Sequence, residues 1–110
     1  MTNYQTGHDA EKQAADYLQV LGYIIRELNW KTRYCEIDIV AENGGAMFFF
    51  EVKHRKSKNY GDGFDQITPK KLRQMGFAAE MWVSNNGWAG DYQLGVVSSS
   101  AHHMKLLLIS

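Results

Sequence analysis

Asp38 and the triplet Glu51-Val52-Lys53 are the residues whose types and spacing best suit chemistry. Side chains alternate along an extended strand, so Glu51 and Lys53 share a face, and a hairpin between the two segments brings Asp38 near them. Two carboxylates separated by a turn can share a hard divalent cation such as Mg²⁺, which favours oxygen ligands and retains waters. A neighbouring ammonium then orients or activates one of those waters. This is chemistry for phosphodiester hydrolysis. The same residues also suit solvated strand positions, with Lys53 paired to Glu51. Their placement directly after Met47-Phe48-Phe49-Phe50 argues against that, because charge in a buried strand is costly unless it is paired or metal-bound.

Glu11 adds a third acid. Its helical neighbours at three, four and seven residues are Ala14, Ala15 and Leu18, which place it on or beside a packed face. It reads either as a third ligand or as an acid favoured by the helix dipole in the first turn. Bases gather elsewhere: Lys53, Arg55, Lys56 and Lys58, then Lys70, Lys71 and Arg73, opposed locally only by Asp62 and Asp65. Such a run is a phosphate track or an ordinary solvated loop. Tyr60, within Asn59-Tyr60-Gly61, can stack on an unpaired base. His8, His54, His102 and His103 have no ligand spacing, and Cys35 has no accompanying base that would make it a nucleophile. Trp30, Trp82 and Trp88 read as core or covering aromatics.

These residues must be held by elements that the pattern outlines. Ala10, Ala14, Tyr17, Leu18 and Leu21 recur at helical spacing and predict a first helix over Gly7 to Leu21, stopped at Gly22. Tyr23 to Leu28 reads as a strand. Glu36 to Val40 and Met47 to Lys53 form a hairpin around Asn43-Gly44-Gly45, and the unbroken apolar run of the second strand places it centrally in the sheet. Thr68 and Pro69 open a second helix that runs through Val83, with Leu72, Met75, Ala79 and Trp82 on its apolar face. Tyr92 to Val97 and Met104 to Ile109 complete the set around a Ser98-Ser99-Ser100 turn. The order describes an α/β fold with one domain: a mixed central sheet of about four to five strands flanked by helices.

The chain has 110 residues, 45% of them hydrophobic and 13% aromatic, which suits one compact unit and excludes bulk disorder. Twelve Lys plus Arg balance twelve Asp plus Glu. A zero net charge gives no global footprint of a polyanion partner, so only local segregation supports one. The single cysteine excludes an internal disulfide and, with no repeated Cys/His spacing, a structural zinc site. Met1 to Ala10 does not read as a signal peptide, and no apolar run approaches the roughly 20 residues of a membrane span. The expectation is a soluble cytoplasmic protein with no membrane partner.

In order and spacing, Gly7-His8-Asp9-Ala10-Glu11-Lys12-Gln13-Ala14, Asn29-Trp30, Glu36-Ile37-Asp38-Ile39-Val40, Phe50-Glu51-Val52-Lys53-His54-Arg55 and Tyr60-Gly61 resemble the YraN-like proteins. The match runs from Gly7 to about Ala79. That family is similar to the restriction-endonuclease-like, or PD-(D/E)xK, superfamily, which includes archaeal Holliday-junction resolvases. The resemblance implies one such domain over 7–110, with Glu11, Asp38 and Glu51 as ligands for Mg²⁺ or Mn²⁺ and Lys53 as the catalytic lysine. Gln66 and Lys70 match a Gln-x-x-x-Lys element of junction resolvases. With Arg55, Lys56, Lys58 and Tyr60 they are the expected nucleic-acid contacts. Two positions depart from the family: Cys35 stands where Gly precedes Glu-Ile-Asp, and no Asp occurs near Gly95 in the late strand.

The expectation is thus a metal-dependent endonuclease acting on branched or single-stranded DNA. The alternative is a non-catalytic nucleic-acid-binding module of the same fold, and a third reading is a protein-interaction subunit that docks through exposed aromatics. Junction resolvases work as dimers, so the resemblance also implies a possible homodimer.

Overall fold

The computed structural model describes residues 3–54, 67–100 and 103–109, with side chains described from residue 9 onward. In chain order the elements are α1 (Asn3–Val20), β1 (Ile24–Lys31), β2 (Glu36–Asn43), β3 (Ala46–His54), α2 (Pro69–Asn86), β4 (Tyr92–Ser99) and β5 (Met104–Leu108). The strands form one sheet in the order β1-β2-β3-β4-β5. Every neighbouring pair is antiparallel except β3 and β4, which are parallel and joined through α2. The mixed sheet flanked by helices matches the expected fold class, and β3 takes the central place its apolar run predicts.

The Gly44-Gly45 turn sets the β2–β3 register. Both residues have positive φ, 61° and 82°, as a two-residue primed hairpin turn requires. Successive β3 side chains then divide between the two faces. Phe48 and Phe50 stack 6.0 Å apart between ring centroids and receive the edge of Tyr23 at 5.0 and 5.4 Å. That cluster includes Ala14, Ala15 and Leu18 of α1, whereas Phe49 joins Ala78, Ala79 and Trp82 of α2 on the opposite face. Burying each of these rings stabilises the fold by roughly 1.5–3 kcal/mol, so β3 anchors both layers.

Thr68 caps α2 as its position predicts. Its Oγ1 accepts the Lys71 N–H at 3.1 Å, and Pro69 occupies the first turn. Trp82 is buried, and Trp30 and Trp88 pack against the same cluster, in keeping with covering roles.

The structure corrects several boundaries. α1 begins at Asn3 rather than Gly7, β1 continues to Lys31, and α2 continues to Asn86. Ser98 and Ser99 belong to β4 and are buried at 5% and 0% exposure, so the strand runs two residues further than expected, to Ser99, and Ser100 N–H bonds His103 O beyond it. Pairing with both β3 and β5 overrides the turn preference of serine. Leu72 is exposed rather than part of the apolar face, which settles at Ala78, Ala79 and Trp82. No helix among the described residues is long and apolar enough to cross a membrane.

Candidate functional site

The β2–β3 ladder runs from Asn43↔Ala46 to Ile39↔Phe50 and stops there. Asp38 follows on β2, and its Oδ2 accepts the Val52 N–H at 2.8 Å. A carboxylate has replaced the backbone as acceptor, and the strands part around it. The alternation of β2 also slips here: Ile37 and Val40 pack towards α2 while Ile39 and Ala41 pack towards α1. Burial raises the Asp38 carboxyl above the usual carboxylate range, and Glu51 and Glu36 push it in the same direction. The Val52 N–H and the Lys71 ammonium act against that rise.

Glu51 sits on β3 opposite Val96 of β4. Its side chain is 15% exposed and its two oxygens have different surroundings. Oε1 takes Lys71 Nζ at 2.6 Å. Oε2 is buried without a hydrogen-bond partner, and Lys53 Nζ stays 3.9 Å from it. Lys71 lies in the turn of α2 that Thr68 fixes, which is why it can reach back to the central strand.

Glu11 approaches from α1. Its carboxyl is pushed up to about 7, first by burial and then by the charge of Asp38, with a hydrogen bond from the Asn29 side chain opposing the rise. Glu11 Oε1 is a second buried oxygen without a hydrogen-bond partner. Asn29 lies on β1 between the Leu28↔Ile39 and Trp30↔Ile37 pairs, across from Asp38. Its φ is 52°, the only positive value on a non-glycine residue among those described. Asn tolerates that left-handed geometry better than most residues.

A cleft of about 600 Å³ opens over Asp38 and Glu51. Lys70, Lys71 and Arg73 line its α2 wall, and Tyr34 and Cys35 line the wall formed by the β1–β2 connection. Phe77, half exposed, lines it further along α2. Thus Asp38, Glu51 and Lys70 line one cleft, whereas Lys53 and Glu11 are not among its lining residues: Lys53 stands 3.9 Å from Glu51, and Glu11 feels the charge of Asp38 from the helix side. Arg55, Lys56, Lys58, Tyr60 and Gln66 lie outside the described residues. As the side chains stand, no three His, Cys, Asp or Glu groups among the described residues are placed to hold a metal ion.

In the sequence Lys71 and Arg73 stand out only within a basic run, and nothing there marks Asn29, Tyr34 or Phe77 as site residues. Lys71 is three residues past the Thr68 cap, a spacing that orients it with the first turn, but its partner on β3 is a tertiary fact. Cys35 Sγ contacts Thr32 Oγ1 at 3.5 Å and Met81 Sδ at 3.9 Å, the environment of a packed thiol. Gly95 pairs with Phe50, and a Cβ there would stand 2.6 Å from the Phe50 ring. The lack of an acid at this position therefore accompanies a core ring that fills the space.

The sequence model of the uncharacterised protein family UPF0102 matches residues 10–102. A UPF0102 protein of Sulfurihydrogenibium is 35% identical over 99 residues, covering 89% of this chain and 86% of that protein. One of Chlorobium chlorochromatii is 36% identical over 106 residues, covering 96% and 82%. One of Pseudomonas fluorescens is 32% identical over 107 residues, covering 96% and 89%.

Proposed function

The chain belongs to the UPF0102 family, and from that premise we propose that it is a metal-dependent nuclease acting on branched or single-stranded DNA by phosphodiester hydrolysis. The observation that carries this reading is Asp38 at the parting of β2 and β3, with Glu51 beside it in a cleft whose α2 wall is basic.

The donor set suits Mg²⁺ or Mn²⁺ rather than zinc, because every candidate ligand is a carboxylate oxygen. Glu51 Oε2 and Glu11 Oε1 are buried without hydrogen-bond partners, a deficit that a hard cation would satisfy. Asp38 and Glu51 are the residues that would hold it, with Glu11 as a third ligand only after its side chain moves from its present position. When bound, the cation supplies Lewis acidity towards a phosphate oxygen and eases deprotonation of water.

The chain's own residues do the rest. Lys53, 3.9 Å from Glu51, positions the attacking water as an ammonium, or takes its proton once it has itself given one up and stands as the neutral amine. Lys71 neutralises Glu51 in the resting protein. Lys70 and Arg73 present cations to phosphates along the cleft, and the Arg55, Lys56 and Lys58 segment with Tyr60 and Gln66 extends that track. By analogy with junction resolvases the protein acts as a homodimer in the cytoplasm, and a monomer in sedimentation at micromolar concentration would overturn that part.

The Glu51–Lys71 pair also favours a second reading, a nucleic-acid-binding module without catalysis, since an acid already neutralised by a lysine needs no metal. Cleavage separates the two. Purified protein with Mn²⁺ and branched, single-stranded and duplex DNA should cut at least one substrate, with Lys53→Ala reducing the rate by about a hundredfold or more. Equal background cleavage by the wild type and Lys53→Ala would rule out the catalytic reading. Binding that depends on salt but not on divalent metal would then support the module.

A further inference from the structure

We propose that Tyr34 and Phe77 form a stacking site for an unpaired base of the substrate, so that the cleft selects a single-stranded segment over continuous duplex. The inference rests on the nucleic-acid reading above and names the feature of the substrate that the site grips.

Both rings line the same cleft as Asp38 and Glu51, one on each wall. Tyr34 is 69% exposed and Phe77 49% exposed, the two most open aromatic side chains among the described residues, whose other rings, Tyr92 at 41% apart, lie in or against the two cores. A nucleotide is a base attached to a phosphate. This cleft offers aromatic faces for the base, Lys70 and Arg73 for phosphates, and the acidic pair at its base. Its volume, about 600 Å³, lies within the roughly 300–1,000 Å³ typical of sites for small groups.

Tyr34 is also held ready. Thr32 Oγ1 accepts the N–H groups of Tyr34 and Cys35 at 3.0 and 3.2 Å, and Thr32 N–H donates to Cys35 O at 2.9 Å. The short connection is therefore clamped, and its backbone loses little freedom when a base docks on the ring it carries. The Arg33 guanidinium stands 5.4 Å from the Tyr34 ring centroid, which adds a cation beside the platform. Bases within a duplex are already stacked on each other and cannot present a free face to these rings. A single strand, a flap or an opened junction can.

The test is fluorescence anisotropy of the full chain with labelled single-stranded and blunt duplex oligonucleotides of equal length, in Ca²⁺. Both side chains are exposed, so Tyr34→Ala and Phe77→Ala should fold normally, as circular dichroism checks. Each should weaken single-strand binding about tenfold and leave duplex binding within about twofold, while Tyr34→Trp keeps the affinity. The salt slope should not change in these variants, whereas Lys70→Ala should lower it. Unchanged single-strand affinity in both alanine variants, or equal losses on duplex, would overturn the stacking site. In that case a lowered slope for Lys70→Ala would keep the nucleic-acid reading intact. If neither oligonucleotide binds the wild type, the nucleic-acid reading fails and the stacking site with it.

Discussion

Lys71 Nζ lies 2.6 Å from Glu51 Oε1, so a helix lysine neutralises a carboxylate on the central strand of the sheet. The pair stands where a cation would sit if Glu51 were a ligand, and the two charges would compete for that oxygen. Lys71→Met should therefore destabilise the metal-free protein by roughly 1–2 kcal/mol, less than a fully buried pair would cost because Lys71 is about a third exposed. Mn²⁺ should restore that loss and bind the variant more tightly than the wild type. Thermal melting with and without Mn²⁺ checks both expectations.

Glu11 makes stability depend on pH in a defined direction. Its carboxyl is raised from 4.5 to about 7, so below 4.5 the folded and unfolded chains are both protonated there and no penalty exists. Between those values the unfolded chain ionises first, and stability falls as pH rises until the folded group has also ionised. Asp38, raised as well, contributes in the same sense. Glu11→Gln removes its part, so its urea midpoint should gain on the wild type between about pH 5 and about pH 8. Parallel midpoints for the two proteins would contradict the raised carboxyl.

Asn29 holds a conformation that few side chains accept, with φ at 52°, and uses it to bond Glu11. Asn29→Gly keeps the backbone and removes the bond, whereas Asn29→Ala also strains the backbone. Left-handed strain of about 1–2 kcal/mol exceeds the entropic cost of glycine, about 0.5–1 kcal/mol. Urea unfolding should thus find the glycine variant the more stable by about 1 kcal/mol.

Gly95 and Phe50 are matched in the same way. A methyl group at position 95 would press on the Phe50 ring, so Gly95→Ala should cost about 1–3 kcal/mol by overpacking. Combining it with Phe50→Leu should recover part of the loss, giving a coupling visible in a double-mutant cycle.

Much of this arrangement is legible in the chain. Gly44-Gly45 specifies the turn, the Met47 to Phe50 run specifies a strand covered on both sides, and Thr68-Pro69 specifies where α2 begins. Strand periodicity then puts Glu51 and Lys53 on one face near Asp38. Features that depend on packing between elements were not legible. Ser98 and Ser99 look like a turn because their composition is polar, yet their backbone groups are taken by two neighbouring strands. Leu72 fits a helical apolar stripe but lies on the part of α2 beside the cleft, where the sheet does not cover it. Lys71 could not be preferred over Lys70 until the orientation of α2 placed it on Glu51, and Tyr34 and Phe77 face a common cleft only through the tertiary fold.

Metal-dependent cleavage requires Asp38 and Glu51 to share a divalent cation, and a crystal soaked in Mn²⁺ and measured at the manganese absorption edge tests this most directly. The predicted result is an anomalous peak bridging Asp38 and Glu51, with Glu11 drawn towards it and Lys71 displaced from Glu51 Oε1. A map with no peak there at saturating Mn²⁺, and the Glu51–Lys71 pair still closed, would contradict it.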